Sequence, residues 1–284
     1  MSRASAFGGA TVREALDSAV IAIGAAGSDT PRLDAELLLA EALGVDRTAL
    51  FTDPAREVLG PAVRTFQDFV RRRSVGREPV AYILERKGFR HIDLHVDPRV
   101  LVPRPETELL VEIGLALPEG ARVVDVGTGS GAIALACKHE RPDLAVIGTD
   151  VSADAVAVAR ANAAALGLDV EFAEGDLLAG VEECDAILSN PPYIADGDRA
   201  SLAPEIVHHE PAAALFAGAD GLDVIRRLVP AAASALTASG LLAIEVGEGQ
   251  ASAVAALLEA EGFAEVHARP DLAGIERTVV GRKP

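Results

Sequence analysis

Four consecutive residues, Asn190-Pro191-Pro192-Tyr193, combine groups suited to holding a planar NH2 group. The prolines fix the backbone and so the direction of its carbonyl groups. The Asn190 side-chain oxygen and the Pro191 carbonyl can then accept both NH2 hydrogens, while the Tyr193 ring packs against the flat group. Two acceptors would stabilise positive charge on a nitrogen that attacks a methyl group, and would align its lone pair. We predict that these four residues are catalytic, the alternative being a plain Asn-Pro turn.

A glycine-rich stretch, Gly127-Thr128-Gly129-Ser130-Gly131, follows an apolar strand pattern and precedes a helical pattern. Glycine adopts backbone torsions that other residues resist, and it lets a ligand approach the chain closely. Ligands bind at the carboxyl ends of strands in open α/β sheets. The stretch also satisfies the dinucleotide pattern G-x-G-x-x-A, so both NAD and S-adenosylmethionine are compatible with it. We expect all five residues to bind a cofactor.

Three details favour S-adenosylmethionine over NAD. Asp125, directly before the glycines, could satisfy an ammonium group but would repel a pyrophosphate. Gly131 adds a third glycine at alternate spacing. Asp176 ends the third strand pattern, where it could bind an adenine amine or serve only as a turn residue. Asp150, which ends the second strand pattern, could bind ribose hydroxyls in either cofactor, so Asp150 and Asp176 are further candidate cofactor ligands.

The pattern from residue 106 onward alternates between strands and helices. Strands are predicted at 122–126, 144–149, 170–173, 186–188 and 241–246, and helices at 132–140, 153–166, 221–236 and 251–261. Such alternation gives a parallel sheet with helices on both faces. The last two strands, 263–268 and 276–282, are joined by a link too short for a parallel crossover. They are therefore predicted to be antiparallel, so that the parallel sheet ends in one antiparallel strand.

The first 84 residues have the pattern of a small helical bundle. A capping box at 11–14 starts one helix, Thr30-Pro31 starts a second that Gly44 ends, and a third spans 61–74. Leu33 and Phe51 are assigned to the bundle core. Residues 92–97 then alternate apolar and polar, Asp97-Pro98 provides a turn, and extended chain resumes at Val100, which predicts a two-stranded hairpin.

Charge is distributed unevenly along the chain. Residues 1–100 hold 14 basic and 14 acidic side chains, whereas residues 101–284 hold 12 and 29 and carry the whole net charge of −17. Such a surface would repel a phosphate backbone, so we expect no direct binding of duplex DNA. The basic cluster Arg71-Arg72-Arg73 with Arg77 is either a solvated helix end or a contact for an acidic or RNA-associated partner.

Other features exclude several protein classes. No apolar run reaches 18 residues, so no membrane span is expected. The N-terminus has no secretory signal pattern, and the two cysteines read as buried reduced thiols, which together predict a cytoplasmic protein. His91 and His95 fall about 13 Å apart at strand spacing, so no metal site is predicted.

The chain resembles the peptide chain release factor N(5)-glutamine methyltransferases over nearly its full length. The motifs that carry the resemblance are Asp34-Ala35-Glu36-Leu37-Leu38-Leu39, Arg77-Glu78-Pro79-Val80-Ala81-Tyr82-Ile83, Leu101-Val102-Pro103-Arg104-Pro105-Glu106-Thr107-Glu108, Gly127 to Gly131, and Asn190-Pro191-Pro192-Tyr193-Ile194. The third motif together with Asn-Pro-Pro-Tyr is much more specific than either the glycine loop or Asn-Pro-Pro-Tyr alone.

The resemblance implies an α/β fold, with a Rossmann-like methyltransferase domain containing one antiparallel strand. The expected organisation is a helical substrate-recognition domain at 1–86, a β-hairpin linker at 87–104 and a methyltransferase domain at 105–284. The implied cofactor is S-adenosyl-L-methionine, and the implied partners are peptide chain release factors, methylated on the glutamine of their Gly-Gly-Gln loop.

The resemblance also implies roles for individual residues. Gly127 to Gly131, Asp150 and Asn190 would contact the cofactor, and Asn190 to Tyr193 would hold the glutamine. Many relatives carry an aromatic residue where this chain has Leu177, so an apolar contact with adenine is expected here instead of ring stacking.

Four other functions fit some of these features. A ribosomal-protein glutamine methyltransferase is the nearest alternative, although the 34–39 motif favours the release-factor type. A nucleic-acid adenine methyltransferase also uses Asn-Pro-Pro-Tyr, but the net charge of −17 counts against it. A dehydrogenase would leave Asn190 to Tyr193 without a function, and a non-enzymatic adaptor would leave both motifs unexplained.

Overall fold

The computed structural model describes residues 9–284, which form two compact units. One unit contains the chain up to Glu85 together with Pro204–His209, and the other contains Arg86–Ala203 and Glu210–Pro284. None of the helices in this described part combines the length and apolar character needed to cross a lipid bilayer.

The secondary structure of residues 9–284 consists of α-helices, β-strands and short 3-10 turns. The helices are α1 Val12–Ala25, α2 Pro31–Leu43, α3 Ala49–Thr52, α4 Pro61–Ser74, α5 Val80–Ile83, α6 Glu108–Leu115, α7 Ala132–Glu140, α8 Ala153–Leu166, α9 Pro204–His209, α10 Asp223–Ala235 and α11 Ala251–Ala260. The strands are β1 Arg86–Phe89, β2 Ile92–His95, β3 Arg122–Val126, β4 Ala145–Asp150, β5 Glu171–Glu174, β6 Cys184–Ser189, β7 Leu236–Glu245, β8 Ala264–Pro270 and β9 Glu276–Arg282. The 3-10 turns are Pro105–Thr107, Asp196–Ser201 and Ala212–Ala214.

The first unit is the helical bundle that the sequence predicts, built from α1 to α5 and α9. The Thr11 hydroxyl accepts the Glu14 backbone N–H, and the Glu14 carboxylate accepts the Thr11 N–H, so the predicted capping box is present. Gly44 ends α2 in the left-handed conformation with φ of 63°, as expected.

Two apolar residues assigned to the bundle core lie outside it. Leu33 is 40% exposed and Phe51 is 55% exposed. On the same helix as Leu33, the core-facing positions instead include the charged residues Asp34 and Glu36. On α2, hydrophobicity alone is a poor guide to burial, because ion pairs allow these two carboxylates to be buried.

Most arginines of the basic cluster at the end of α4 form ion pairs within the helical unit. Arg73 is almost fully buried; its Nε donates to Asp34 Oδ2 at 2.7 Å and its Nη2 to Glu205 Oε1 at 3.1 Å. Arg77 donates to the other Glu205 oxygen, and Arg72 donates to both oxygens of Glu78. The interpretation of this cluster as a solvated helix end is therefore wrong for Arg73, because its side chain is buried.

The second unit begins with a hairpin that differs from the predicted one. Strands β1 and β2 pair antiparallel through the two-residue turn Arg90-His91, with Phe89 opposite Ile92. The predicted turn at Pro98 exists, but the chain after it does not pair with β2. The Asp97 carboxylate accepts the backbone N–H and the guanidinium of Arg99, so the turn is closed by local bonds rather than by a strand ladder.

The remainder of the second unit is the predicted α/β domain. Its seven strands lie in the order β5-β4-β3-β6-β7-β9-β8. The first five are parallel to one another, and β9 runs antiparallel to both of its neighbours. One antiparallel strand was predicted, but at the end of the sheet; the structure places β8 at the edge instead. The short β8–β9 link allows only a hairpin, and β9 pairs along β7 while β8 pairs with β9 alone.

Candidate active site

The glycine-rich stretch turns sharply at the carboxyl end of β3. Gly127, Gly129 and Gly131 have φ values of 73°, 54° and 84°. A Cβ on Gly131 would come within 2.9 Å of Leu135 Cδ1, whereas a Cβ on Gly129 would meet nothing within 4 Å. Gly131 is therefore required by helix packing, and Gly129 by its left-handed backbone, beside open space that a ligand can enter.

Asp150, at the end of β4, holds this loop in place. Its Oδ2 accepts the Gly129 N–H at 2.9 Å, and its Oδ1 accepts the Ser152 N–H at 2.9 Å. Burial raises the pKa of Asp150, and these two backbone donors oppose that rise. The carboxylate thus joins the glycine loop to the start of α8.

Asp125 lies away from the position expected for it. The side chain is fully buried; its Oδ2 accepts the Thr128 hydroxyl at 2.6 Å and the Ala134 N–H at 3.2 Å. Desolvation raises the pKa of Asp125 to about 7. Successive strand side chains point to opposite faces, and Val126 is the one that faces the cavity described below. Asp125 therefore braces the loop against α7 instead of lining the cavity.

A cavity of about 280 Å³ opens at the carboxyl ends of β3, β4 and β6. Eight of the predicted site residues line it: Gly127, Gly129, Asp150, Asp176, Leu177, Asn190, Pro191 and Pro192. The other four, Thr128, Ser130, Gly131 and Tyr193, do not line the cavity but hold the residues that do. Thr128 donates to Asp125, the Ser130 carbonyl accepts from Asn162, Gly131 caps α7, and the Tyr193 hydroxyl donates to Glu245.

The rim of the cavity carries a charged pair. Arg227 of α10 donates to Asp176, and both residues line the cavity. Leu177 has φ of 55°, a left-handed conformation that costs a leucine about 1–2 kcal/mol. The Thr149 hydroxyl donates to the Leu177 carbonyl at 2.8 Å and so helps to hold this conformation.

The Asn-Pro-Pro-Tyr turn follows β6 and is fixed at both ends. The Asn190 Nδ2 donates to Thr107 Oγ1 at 3.0 Å. The Tyr193 hydroxyl donates to Glu245 Oε1 at 3.3 Å, and the Tyr193 carbonyl accepts from Gln250 Nε2 at 2.9 Å. Burial raises the pKa of Tyr193, with the Glu245 charge adding to the rise. Because Thr107 uses the Asn190 nitrogen, the Asn190 oxygen is the end left for a ligand.

Another wall of the cavity is formed by Pro211, Ala213 and Ala214. The preceding residue, Glu210, is buried and accepts from the Arg104 guanidinium and from the Val102 N–H. The motif at 101–108 therefore anchors this wall as well as the Asn190 turn.

Sequence reasoning missed four supporting residues: Thr107, Asn162, Arg227 and Glu245. Thr107 lies in the motif at 101–108, from which the sequence predicted no role for this residue. Glu245 had a usable signal, since a carboxylate that ends an apolar strand must find partners or lie at a site. Asn162 and Arg227 lie on helices, and nothing in their local pattern distinguishes them from ordinary helical residues.

Comparison with known proteins identifies the family of the chain. Two family profiles match, described as "Methyltransferase small domain" at residues 105–219 and "PrmC N-terminal domain" at residues 14–84. The release factor glutamine methyltransferase of Caulobacter vibrioides is 44% identical over 265 residues, which is 91% of each chain. That of Deinococcus radiodurans is 43% identical over 276 residues, covering 96% of this chain and 98% of the relative.

Solved structures show that the fold is shared more widely. A methyltransferase from Pyrococcus furiosus superposes with a TM-score of 0.53 at 18% identity, over 68% of this chain and 89% of that one. At this identity the likeness concerns the fold alone. The two release factor glutamine methyltransferases are more specific, because each is more than 40% identical over more than 90% of this chain. The chain therefore belongs to the release factor glutamine methyltransferase family.

Proposed function

We propose that this enzyme transfers the methyl group of S-adenosylmethionine to the side-chain amide nitrogen of the glutamine in the Gly-Gly-Gln loop of peptide chain release factors. The observation that carries the proposal is that Asn190, Pro191 and Pro192 line the same cavity as Gly127 and Gly129. Acceptors for a planar amide thus lie beside a loop shaped for a cofactor. Since release factors act on ribosomes, we place the reaction in the cytoplasm.

The residues around the cavity fit S-adenosylmethionine. Gly129 leaves open space beside its backbone, and the Asp150 carboxylate at the cavity wall can accept ribose hydroxyls. Asp176 and Leu177 lie where an adenine ring would find a polar acceptor and an apolar surface. When bound, the cofactor supplies an electrophilic methyl group on a sulfonium.

The residues of the turn do three things for the glutamine. The Asn190 oxygen and the Pro191 carbonyl accept the two amide hydrogens, which orients the nitrogen lone pair. The same acceptors stabilise the positive charge that grows on nitrogen as it is methylated. The Tyr193 hydroxyl donates to Glu245, and the Tyr193 backbone carbonyl accepts from Gln250. These two hydrogen bonds limit the movement of the turn next to the planar amide. No general base is needed before transfer, because the N–H proton becomes acidic only as nitrogen gains charge. The methylated amide then loses that proton to water, and S-adenosylhomocysteine is the leaving product.

We further propose that residues 1–86 serve in substrate recognition, residues 87–104 act as a linker and residues 105–284 carry out the chemistry. The cavity-lining residues all belong to the second unit, which supports this division of labour. A variant lacking residues 1–86 should keep its affinity for S-adenosylmethionine but lose most activity on a whole release factor. Circular dichroism must first show that the truncated chain is folded.

Mass spectrometry tests the proposed substrate. The protein is incubated with S-adenosylmethionine and a purified release factor, and the Gly-Gly-Gln peptide should gain one methyl group on glutamine. A release factor with that glutamine replaced by glutamate serves as the control and should gain none. Methylation of ribosomal proteins or of adenine in an oligonucleotide, with no change in the release factor, would replace the proposal by one of those functions.

A further inference from the structure

Thr107 joins two parts of the site that are far apart in the sequence. It ends the 3-10 turn Pro105–Thr107 and is only 4% exposed. Its hydroxyl oxygen lies 3.0 Å from Asn190 Nδ2 and 2.7 Å from Glu245 Oε2. Glu245, the last residue of β7, is 2% exposed. A buried hydroxyl and a buried carboxylate thus stand directly behind the amide that faces the cavity.

While Glu245 is ionised, the chemistry of these groups fixes the direction of each hydrogen bond. An ionised carboxylate can only accept, so Thr107 then donates its single hydroxyl hydrogen to Glu245. The Thr107 oxygen can then only accept from Asn190, which must present its NH2 side. The Asn190 oxygen is thereby turned toward the cavity. If the amide were flipped, two acceptor oxygens would face each other at Thr107 and two donors would face each other at the substrate.

Glu245 reaches both ends of the catalytic turn. Its Oε2 acts on Asn190 through Thr107, and its Oε1 accepts the Tyr193 hydroxyl at 3.3 Å. One carboxylate therefore restrains the first and the last residue of Asn-Pro-Pro-Tyr at once. The two prolines between them remove most of the remaining backbone freedom.

We propose that Thr107 and Glu245 are positioning residues that set the orientation of the Asn190 amide, so that its oxygen and not its nitrogen faces the methyl-accepting amide. This inference rests on the proposed function for the reaction that Asn190 serves. The hydrogen-bond relay itself can be measured without any substrate.

The chain is well suited to that measurement because it contains only two asparagines, Asn162 and Asn190. Selective labelling of asparagine side-chain nitrogen therefore gives two NH2 signals, and Asn162 provides an internal reference. Thr107→Val keeps the shape of the side chain and removes the hydroxyl, while Thr107→Ser restores it. In Thr107→Val the Asn190 NH2 signal should shift and exchange faster with water; in Thr107→Ser it should return toward its wild-type position.

Single-turnover methyl transfer supplies the second readout. At saturating cofactor and release factor, Thr107→Val should be slowed about tenfold or more, less than expected for loss of the whole Asn190 amide. Cofactor affinity should change less than twofold, and Thr107→Ser should recover most of the rate. Thr278→Val is the matched control: Thr278 is fully buried opposite Glu245 in β9, and its hydroxyl has no partner among residues 9–284. It should transfer methyl at the wild-type rate.

The outcomes separate this inference from the proposed function. An unchanged Asn190 signal in Thr107→Val, or an unchanged rate in that variant, overturns the positioning role. If wild-type protein methylates no release factor while the Asn190 signal still depends on the Thr107 hydroxyl, the proposed function fails and the orientation of Asn190 stands. If Thr278→Val slows transfer as much as Thr107→Val does, the effect belongs to general packing and the positioning role is overturned.

Discussion

An asparagine amide has a donor side and an acceptor side of nearly equal shape, so packing alone cannot tell them apart. At Asn190 the distinction comes from hydrogen bonding, since Nδ2 is engaged by Thr107. The amide of a glutamine substrate is a weak nucleophile, and the acceptor side is the one that can stabilise charge on its nitrogen. The identity of one atom facing the cavity therefore decides whether the turn can assist the reaction.

Replacing Asn190 should cause a large loss of catalytic activity. Asn190→Ala removes a preorganised acceptor, and turnover should fall about 10²–10³-fold. Asn190→Asp should also fail, because a carboxylate near a sulfonium stabilises the concentrated charge of the ground state more than the dispersed charge of the transition state. Single-turnover transfer at saturating cofactor and substrate measures the effect. If Asn190→Ala transfers methyl at the wild-type rate, Asn-Pro-Pro-Tyr has only a structural role.

Glu245 should make stability depend on pH. Burial raises its pKa from 4.5 to about 7, with Glu106 adding to the rise and the Thr107, Tyr193 and Arg277 interactions opposing it. The folded state therefore binds more protons than the unfolded state between these values, so the free energy of unfolding falls as pH rises through this window. A shift of this size corresponds to about 3 kcal/mol, lost by the time pH exceeds about 7.

The variant Glu245→Gln isolates that contribution, since glutamine resembles the protonated acid. Denaturant unfolding of both proteins should give similar stabilities near pH 4.5, with the variant becoming progressively more stable than wild type toward neutral pH. Asp125 has a similarly raised pKa and remains in both proteins, so it cancels in the difference. A difference that is constant across the range would contradict the assigned shift.

At the scale of secondary-structure elements, the glycine loop is held from two directions. Asp150 of β4 accepts the Gly129 N–H. Asn162 of α8 donates to the Ser130 carbonyl at 2.9 Å and to the His95 carbonyl at 3.0 Å, and it accepts the His95 N–H at 2.8 Å. A loop rich in glycine has high conformational entropy when free, so these fixed partners are what preorganise it for a ligand.

Asp150→Ala should weaken the binding of S-adenosylmethionine for two reasons. The ribose hydroxyls lose a charged acceptor, worth about 1.5–3 kcal/mol for each bond, and the Gly129 N–H loses its anchor. Calorimetric titration gives the affinity directly. Asp154→Ala, an exposed aspartate in the first turn of α8, is the matched control and should bind normally. Unchanged affinity in Asp150→Ala would remove Asp150 from the cofactor site.

Asn162→Leu should destabilise the methyltransferase unit more than a typical substitution. Three backbone groups lose their side-chain partner, and leaving each one unsatisfied costs about 1–3 kcal/mol, so a total loss of at least about 3 kcal/mol is expected. Urea unfolding measures this loss. Ala157→Leu lies on the exposed face of the same helix and should change stability by less than about 0.5 kcal/mol. Equal stabilities for the two variants would show that the Asn162 bonds contribute little.

At the scale of the whole molecule, the chain leaves the α/β unit after Ala203, contributes Pro204–His209 to the helical unit, and returns at Glu210. Within the helical unit, Glu205 is held by Arg73 and Arg77. The segment Pro204–His209, which follows the Asn190 turn in sequence, is thus joined to the rest of the helical unit by partly buried ion pairs. The helical unit therefore contains ion pairs between residues more than a hundred positions apart in the chain.

Arg73→Met tests how much the buried ion pairs of Arg73 contribute to the free energy of unfolding. It leaves Asp34 and Glu205 without their shared guanidinium, and breaking a buried ion pair costs about 3–5 kcal/mol. Arg71→Met is the matched control, because Arg71 is 70% exposed and, among residues 9–284, forms an ion pair only with Asp68 at the surface; it should cost less than about 0.5 kcal/mol. The two variants are compared by denaturant unfolding, and equal costs would mean that the buried pairs add nothing beyond a surface contact.

Local patterns in the sequence determined most of the elements and the main motifs. The capping box at Thr11, the glycine end of α2 and the bounds of β3, α7 and α8 follow from interactions between near neighbours in the chain. The resemblance to the family follows from the Pro-Arg-Pro-Glu-Thr-Glu and Asn-Pro-Pro-Tyr motifs, since the two together are much more specific than Asn-Pro-Pro-Tyr alone. The proposal that Asp150 and Asn190 serve one site follows from the rule that parallel strands present their carboxyl ends at one edge.

Tertiary structure decided which atoms of these motifs face the cavity. Asp125 adjoins the glycines in sequence, yet the alternation of side chains along β3 turns it toward α7. Leu33 and Phe51 are apolar but exposed, whereas the charged residues Asp34 and Glu36 are buried in ion pairs, and composition reveals neither outcome. Thr107 lies 83 positions before Asn190 and 138 positions before Glu245 in the chain. Hydrogen bonds at such separations have no local signature, because they exist only after the strands that carry them have come together.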